Sequence, residues 1–150
     1  MAKPLGLYNQ DFYIWAMTTS ELIRQKKWHE IDWDAVIEEI EGLASRDKRE
    51  LASRLERLLM HLLKWCAQPQ GRQLGHSWRD TIHEQRSEID LLLDDSPSLR
   101  HEADALLNQR YCKARERALD QTGLHETALP HTCPWTSAQI LGGDFWPESW

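Results

Sequence analysis

One stretch of the chain, DWDAVIEEIEGLASRDKRELASRLERLLMHLLKWC at residues 32–66, sets the architecture of the rest. Its apolar residues recur at spacings of three and four, which is the period of one face of an α-helix. This stripe comprises Trp33, Val36, Ile37, Ile40, Leu43, Leu51, Leu55, Leu58, Leu62 and Trp65. A single phase fits it throughout, so the stretch predicts one continuous helix with one buried face. At 1.5 Å per residue this helix is about 50 Å long, and Asp32 is its predicted N-cap. The alternative is a kink or a break between Gly42 and Ser45.

A shorter helix is predicted before this stretch, from about Asn9 to about Lys26. The same spacing argument gives it a buried face and two flanking aromatic residues. The face consists of Phe12, Ala16, Thr19 and Ile23, and the flanks are Tyr8 and Trp15. The polar segment QKKWHEIDWD then turns the chain toward the long helix.

Two further main helices are predicted after the long one. The third opens at Ser77 and follows a loop rich in glycine and proline. The fourth is capped by Ser96, has Pro97 at its first position and stops near Gly123. Their inward-facing residues are Trp78, Ile82, Ile89, Leu92 and Leu93 on the third helix and Leu99, Ala103, Leu106, Leu107 and Ala114 on the fourth.

The C-terminal tail carries its own signals. Thr136 and Gln139 form a capping-box pattern, which predicts a short helix. Phe145 and the nearby tryptophans are too apolar for a free tail, so we expect the tail to pack against the helices. No segment alternates apolar and polar residues as a strand does. The sequence therefore predicts an all-α fold in one domain, residues 1–150: a bundle of four main helices, a short C-terminal helix and a packed aromatic tail.

Composition narrows the possible functions. The formal net charge of −6 disfavours a nucleic-acid binder, which usually carries a basic face. No apolar run is long enough to span a membrane, and the N-terminus lacks the apolar core of a signal peptide. The three cysteines are widely spaced, which is typical of a reducing compartment and gives no zinc or redox signature. We therefore expect a cytoplasmic protein with no cofactor.

A set of polar residues follows the edge of the long apolar stripe. Asp47, Arg54 and His61 are seven residues apart, and so form one line along the helix. The third helix adds Gln85 and Arg86, and the fourth adds Arg110. No metal is expected, because the glutamate that helical metal sites place three residues before a histidine is Leu58 here. Two interpretations stay open: a polar pocket in a small ligand-binding protein or hydrolase, or interhelical pairs that fix the helix register.

The tryptophans point to a different kind of function. The chain has eight, and tryptophan is a frequent anchor of protein interfaces. Trp28, Trp135, Trp146 and Trp150 lie in predicted loops or in the tail, and are candidate interaction anchors. The sequence contains no HExxH, GxSxG, GxGxxG or P-loop pattern. The leading hypothesis is a non-catalytic protein-interaction or regulatory module that binds an unknown protein or a second copy of itself.

Several ordered motifs resemble a known family. They are LYNQDFYIWA, DWDAVIEEIEGLASRDKREL, LLMHLLKW, SWRDTIHEQRSEI, SPSLR and TCPWT followed by DFWPE. Together they resemble the bacterial domain-of-unknown-function family twenty-nine, from about Tyr8 to Glu148. The resemblance implies a compact all-helical bacterial protein. It implies no activity, and it assigns no role to the matching positions, which include His61, Gln85 and Arg86.

Overall fold

A computed structural model describes residues 6–73 and 77–150, and these ranges form α-helices and no strand. The helices are α1 (Leu7–Gln10), α2 (Phe12–Arg24), α3 (Trp33–Ala67), α4 (Ser77–Asp95), α5 (Ala103–Thr122) and α6 (Ser137–Leu141). The predicted all-α fold with four long helices is confirmed. Among the described helices, none is both long and apolar enough to cross a lipid bilayer.

The long helix α3 is continuous, as the single phase of its stripe predicts. It runs for 35 residues without a break at Gly42 or Ser45. Asp32 caps it as expected, since its Oδ1 accepts a hydrogen bond from the amide of Ala35 at 3.2 Å. Nothing lies within 4 Å of where a Cβ of Gly42 would stand, so no close packing requires this glycine.

The first predicted helix is divided in two, which corrects the sequence-based boundary. Asp11 has an extended backbone, with φ −149° and ψ 90°, and separates α1 from α2. Its carboxylate accepts a hydrogen bond from the amide of Ile14 at 3.0 Å, so Asp11 acts as the N-cap of α2. The helix ends at Arg24, and Lys26 then adopts a left-handed conformation with φ 58°.

The fourth predicted helix begins later than its capping signal indicates. Residues Pro97–Glu102 form a 3₁₀ helix, and the side chain of Ser96 makes no capping hydrogen bond. The α-helix α5 starts only at Ala103, after the tighter turns of this segment. The C-terminal helix is as predicted, because the capping box of Thr136 and Gln139 is formed in both directions.

The chain divides into two compact units, the first ending at Arg46 and the second comprising Asp47–Trp150. The boundary falls within α3. In the second unit, the C-terminal half of α3 packs with α4, α5 and the tail. Its fully buried large side chains are Leu51, Leu55, Leu58, Leu59, Leu62, Leu63, Ile82, Ile89, Leu93, Leu107 and Ile140. The assignment of residues 1–150 to a single domain stays a prediction.

The predicted burial holds in the second unit and is wrong for much of the first. The stripe of α3 is completely buried at Leu51, Leu55, Leu58 and Leu62. The same stripe is exposed toward the start of the helix, at Trp33, Ile37, Ile40 and Leu43. The difference arises because α4 and α5 cover the stripe in the second unit, whereas the first unit offers only the short α1 and α2.

Helix α2 also turns a different side inward than its spacing predicts. Its buried residues are Trp15, Thr19 and Leu22. Phe12 and Ile23, predicted to be buried, are 53% and 37% exposed. The inward side of α2 is therefore rotated relative to the predicted one.

Candidate functional site

Large apolar side chains are exposed almost only in the first unit. Of the twelve that are exposed in the described part of the chain, ten precede residue 47. Six of them belong to the apolar spacings that were predicted to face inward on α2 and α3, and we call these six residues the N-terminal apolar face: Phe12, Ile23, Trp33, Ile37, Ile40 and Leu43. Their exposed fractions run from 37% to 61%. Single exposed apolar residues are normal on proteins, so the feature that sets the first unit apart is their concentration there.

Helix geometry places these side chains off the inward sides of α2 and α3. On α2, Phe12 and Ile23 are displaced by about 55° and about 75° from the mean direction of the buried residues, at 100° per residue. On α3, Trp33, Ile37 and Ile40 lie about 160°, 200° and 140° from the side of Ala35, which is buried, so they point away from it. A connection as short as residues 25–32 makes the helices antiparallel neighbours. Both helices of the first unit therefore present uncovered apolar side chains to solvent.

The inner side of the first unit is held by aromatic contacts and one strong hydrogen bond. The rings of Tyr8 and Trp15 meet edge to face, with centroids 4.8 Å apart. Tyr8 Oη donates to Glu39 Oε1 at 2.6 Å, which ties the N-terminal segment to α3. This hydrogen bond, together with nearby carboxylates, raises the pKa of Tyr8 to about 12. Of the N-terminal apolar face, Phe12 joins this packing, since its ring centroid lies 5.6 Å from that of Trp15.

The four candidate anchor tryptophans have different surroundings. Trp28 is 47% exposed and lies beside the N-terminal apolar face, with its ring centroid 6.2 Å from that of Trp33. Trp150 is 48% exposed. Trp135 is buried in the core of the second unit, and Trp146 packs partly buried against Trp65. Trp28 and Trp150 are thus the two that solvent reaches most.

The predicted polar cluster separates into groups that do not share one site. Arg54 Nη1 donates to Gln85 Oε1 at 3.3 Å, and Arg54 Nε lies 2.9 Å from Glu50 Oε1. Glu88 is a second acidic partner of Arg54, at 3.4 Å. This group joins α3 to α4 by paired charges. Asp47 is half-buried and lies on α3 two turns earlier than Arg54.

Arg86 and Arg110 belong to other surroundings. Arg86 is buried and donates to two backbone carbonyls of the tail, Ile140 O at 2.8 Å and Phe145 O at 2.5 Å. Its guanidinium also lies 5.1 Å from the centre of the Trp146 ring. Arg110 Nη1 is 3.5 Å from the buried carboxylate of Glu56. Arg86 therefore attaches the tail to α4, and Arg110 forms an ion pair with the buried Glu56.

His61 lines a cavity in the second unit together with residues that were not predicted. The cavity has a volume of about 470 Å³ and lies between α3 and α5. Its lining residues are Ser53, Arg57, Met60, His61, Arg117 and Gln121. His61 Nδ1 is 2.9 Å from the backbone oxygen of Arg57. A carbonyl only accepts, so Nδ1 carries the proton and Nε2 is the basic nitrogen. Burial lowers the pKa of His61, which favours this neutral ring.

Two buried charges next to this cavity also escaped the sequence analysis. Lys64 is 6% exposed, and its Nζ donates to Gln121 Oε1 at 2.8 Å. Glu56 is 5% exposed and forms ion pairs with Arg110 and with Arg117, the latter at 3.0 Å. A signal for Lys64 exists in the sequence. The run LLMHLLKWC is apolar on nearly all sides of the helix, and such a helix is buried all round, including its polar residues.

Comparison with known proteins identifies the family and nothing finer. The chain belongs to the family described as domain of unknown function DUF29, whose model matches residues 7–146. No curated protein and no solved structure matches the chain. Among the described residues, no group of three or more His, Cys, Asp and Glu side chains is arranged to hold a metal ion.

Proposed function

We propose that this member of a family of unknown function is a non-catalytic protein-interaction module that pairs with a second copy of itself through the N-terminal apolar face. The observation that carries the proposal is the concentration of ten of the twelve exposed large apolar side chains in the first unit. The anchor role predicted for Trp28 fits this proposal, because Trp28 borders the face.

The size of the first unit supports a permanent cover for this face. Its buried apolar side chains are only Trp15, Leu22, Ile31 and Ala35 among the described residues. A unit of about 40 residues rarely has a sufficient core by itself and usually depends on oligomerisation, metals or disulfides. The described cysteines are all free, so no disulfide supplies that stability. Their free state also supports a reducing, cytoplasmic location as part of the proposal.

A second copy is the occupant that the geometry favours. Two consecutive helices that both carry uncovered apolar side chains can supply half of a four-helix bundle. A twofold axis through the face pairs the stripes of one copy with those of the other, which is a self-complementary arrangement. At roughly half exposure and about 200 Å² per large side chain, the six residues offer about 600 Å² per copy. Stable complexes usually bury roughly 800 Å² per partner, and residues at the rim of the face, such as Trp28, supply the remaining area.

The oligomeric state in solution tests the proposal. Sedimentation of the full chain over about 1 µM to about 1 mM is expected to show a monomer–dimer equilibrium. Ile40→Glu places a charge at the centre of the face, and is expected to give a monomer throughout this range. Leu91→Glu is the matched control, because Leu91 is equally exposed, at 60%, but lies on α4 in the second unit. It is expected to dimerise like the natural chain.

Two results would overturn self-association. One is a natural chain that stays monomeric at the highest concentration. The other is a dimer that Ile40→Glu leaves intact while Leu91→Glu dissociates it. Capture of a different protein that depends on Ile40 would retain the face as an interface but replace the second copy as its occupant.

A further inference from the structure

The cavity beside His61 has the dimensions of a small-molecule site. Its volume of about 470 Å³ lies within the range of about 300–1,000 Å³ that ligand pockets occupy. All of its lining belongs to the second unit, so it is independent of the N-terminal apolar face. The inference drawn from it therefore does not rest on the proposed self-association.

The lining of this cavity is rich in cations and contains no carboxylate. The side chain of Arg57 makes no hydrogen bond or ion pair with any residue in the described part of the chain. Arg117 contacts Glu56 at 3.0 Å, yet 56% of its side chain is exposed. Glu56 also serves Arg110, so one carboxylate is shared by two guanidinium groups. An anion suits both donors, because Arg57 has no acidic partner among the described residues and Arg117 shares one carboxylate with Arg110.

Three neutral groups complete the lining and define a further requirement. Gln121 accepts from Lys64 through its Oε1, which leaves its amide nitrogen to donate. Ser53 supplies a hydroxyl group. His61 is different, since its Nδ1 proton is engaged by the Arg57 carbonyl and its Nε2 has no hydrogen-bond partner among the described residues. A nitrogen that only accepts calls for a ligand that carries a hydroxyl group as well as negative charge.

An adjacent cavity shows by contrast what sets this one apart. It has a volume of about 220 Å³, shares Ser53 and Arg57, and is also lined by Glu50, Arg54 and Gln85. There Arg54 is neutralised by Glu50 at 2.9 Å and by Glu88 at 3.4 Å. The carboxylates on that side repel an anion. On the side of Arg57 toward His61, no carboxylate is among the lining residues.

We propose that the cavity beside His61 binds a small phosphorylated molecule. Its phosphoryl oxygens accept hydrogen bonds from Arg57 and Arg117, and its hydroxyl group donates to Nε2 of His61. Arginine pairs with phosphoryl oxygens through parallel N–H groups, which makes it the preferred residue for this chemistry. The simplest ligand that meets both requirements is the hydrogen phosphate ion, and a phosphate ester of a polyol meets them with a hydroxyl on carbon.

Titration of the full chain with inorganic phosphate and with sulfate at pH 7 tests the proposal. Calorimetry measures the affinity, and the ¹⁵N signal of His61 Nε2 reports whether the ring takes part. Phosphate carries a hydroxyl group at this pH and sulfate does not, so phosphate is expected to bind more tightly and to shift the Nε2 signal. Glycerol 3-phosphate, titrated in parallel, distinguishes an ester from the free ion as the preferred ligand.

Substitutions test which residues contact the bound phosphate. Arg57→Gln is expected to weaken phosphate binding by about tenfold, the loss of one charge-assisted hydrogen bond. Arg100→Gln is the matched control, because Arg100 is an exposed arginine elsewhere in the second unit, paired with Asp94. It is expected to bind as the natural chain does. His61→Phe keeps the ring volume, and is expected to abolish the preference for phosphate over sulfate.

The outcomes separate clearly. No binding of phosphate or of glycerol 3-phosphate at tens of millimolar would overturn the proposal, as would an unchanged affinity in Arg57→Gln. Equal affinity for phosphate and sulfate would remove the role given to His61. Binding of glycerol 3-phosphate alone would support the site and assign it to esters. Ile40→Glu is expected to bind phosphate normally, so failure of the self-association proposal would leave this result unaffected.

Discussion

The ammonium group of Lys64 lies 5.0 Å from the centre of the Trp78 ring, and Lys64 is almost completely buried. Lys64 belongs to α3 and Trp78 belongs to α4, so this cation–π contact joins the two helices. Gln121 of α5 accepts a hydrogen bond from the same nitrogen at 2.8 Å. One buried charge thus connects three helices of the second unit. Burial lowers the pKa of Lys64, which shows the cost of desolvating this charge.

Replacement of this lysine measures whether the contacts offset that cost. Lys64→Met retains an unbranched apolar stem and removes the charge. We expect the free energy of unfolding to rise by about 1 kcal/mol, because isosteric apolar replacements of buried charges are often neutral or stabilising. Gln121 is exposed, so water can replace the lost donor. Urea unfolding followed by circular dichroism measures the change. A loss of 1 kcal/mol or more would show that the lysine contacts stabilise the unit on balance.

The second unit was largely predictable from its sequence, for a physical reason. Its helices carry apolar residues on clear stripes, and the stripe from Leu51 to Leu62 has a covering helix on either side. The break in the first helix at Asp11 was missed because the apolar spacing continues through it. The late start of α5 was missed because Ser96 and Pro97 suit a 3₁₀ turn as well as an α-helix.

The first unit was less predictable because α2 is apolar in several directions. Four consecutive apolar residues, FYIW at 12–15, point 100° apart and cover the circumference of the helix. The spacing then selects no unique buried side. The outward stripe of α3 was missed for another reason: a stripe indicates that a face is suited to burial, and it does not indicate that the same chain covers it.

The polar side chains show the limit of single-helix reasoning. The register that places Arg54 beside Gln85 depends on how α3 and α4 pack. Periodicity placed both residues near the helix interface correctly. It could not show that Arg86 faces the tail instead, because the tail has no periodicity from which to derive its course.

Arg86 is expected to be essential for attachment of the tail. Arg86→Met leaves the carbonyl oxygens of Ile140 and Phe145 without their donors, and unpaired buried groups cost about 1–3 kcal/mol each. We expect a loss of about 2–4 kcal/mol in the free energy of unfolding. The amides of the tail should also exchange with solvent faster. Chemical denaturation and hydrogen exchange measure the two effects.

Arg79→Met is the control for this variant. Arg79 lies over the same Trp146 ring at 5.0 Å, is exposed and has no carbonyl partner in the described part of the chain. A small effect of Arg79→Met beside a large effect of Arg86→Met would assign the stabilisation to the carbonyl hydrogen bonds. Equal effects of the two variants would assign it to the ring contact and contradict this prediction.

His61 is expected to make the second unit less stable in mild acid. Its pKa is lowered in the folded chain by burial, whereas the unfolded chain keeps a value of about 6.5. As the pH falls below about 6.5, the unfolded state takes up a proton that the folded state does not, so the free energy of unfolding decreases. Above that pH the contribution of His61 is constant. Denaturation at a series of pH values between about 5 and about 8, without phosphate, measures this slope.

His61→Phe removes the titrating ring and is expected to reduce the slope. His83→Phe is the comparison, since His83 is an exposed histidine on α4. It is expected to leave the slope as it is in the natural chain. A slope that persists in His61→Phe would place the responsible group elsewhere.

The inward side of α2 can be tested by two aromatic replacements three residues apart. Trp15 is 4% exposed and Phe12 is 53% exposed, although the spacing of the sequence favours the reverse. Trp15→Ala removes the largest buried side chain of the first unit, and truncations of this kind cost about 3–5 kcal/mol. We expect the amides of α2 to lose their protection from hydrogen exchange in Trp15→Ala.

Phe12→Ala should leave that protection nearly unchanged at concentrations where the chain is monomeric. It should also weaken dimerisation, because Phe12 belongs to the N-terminal apolar face. The opposite pattern, with α2 opened by Phe12→Ala and unaffected by Trp15→Ala, would restore the phase that the apolar spacing predicts and would remove Phe12 from the proposed interface.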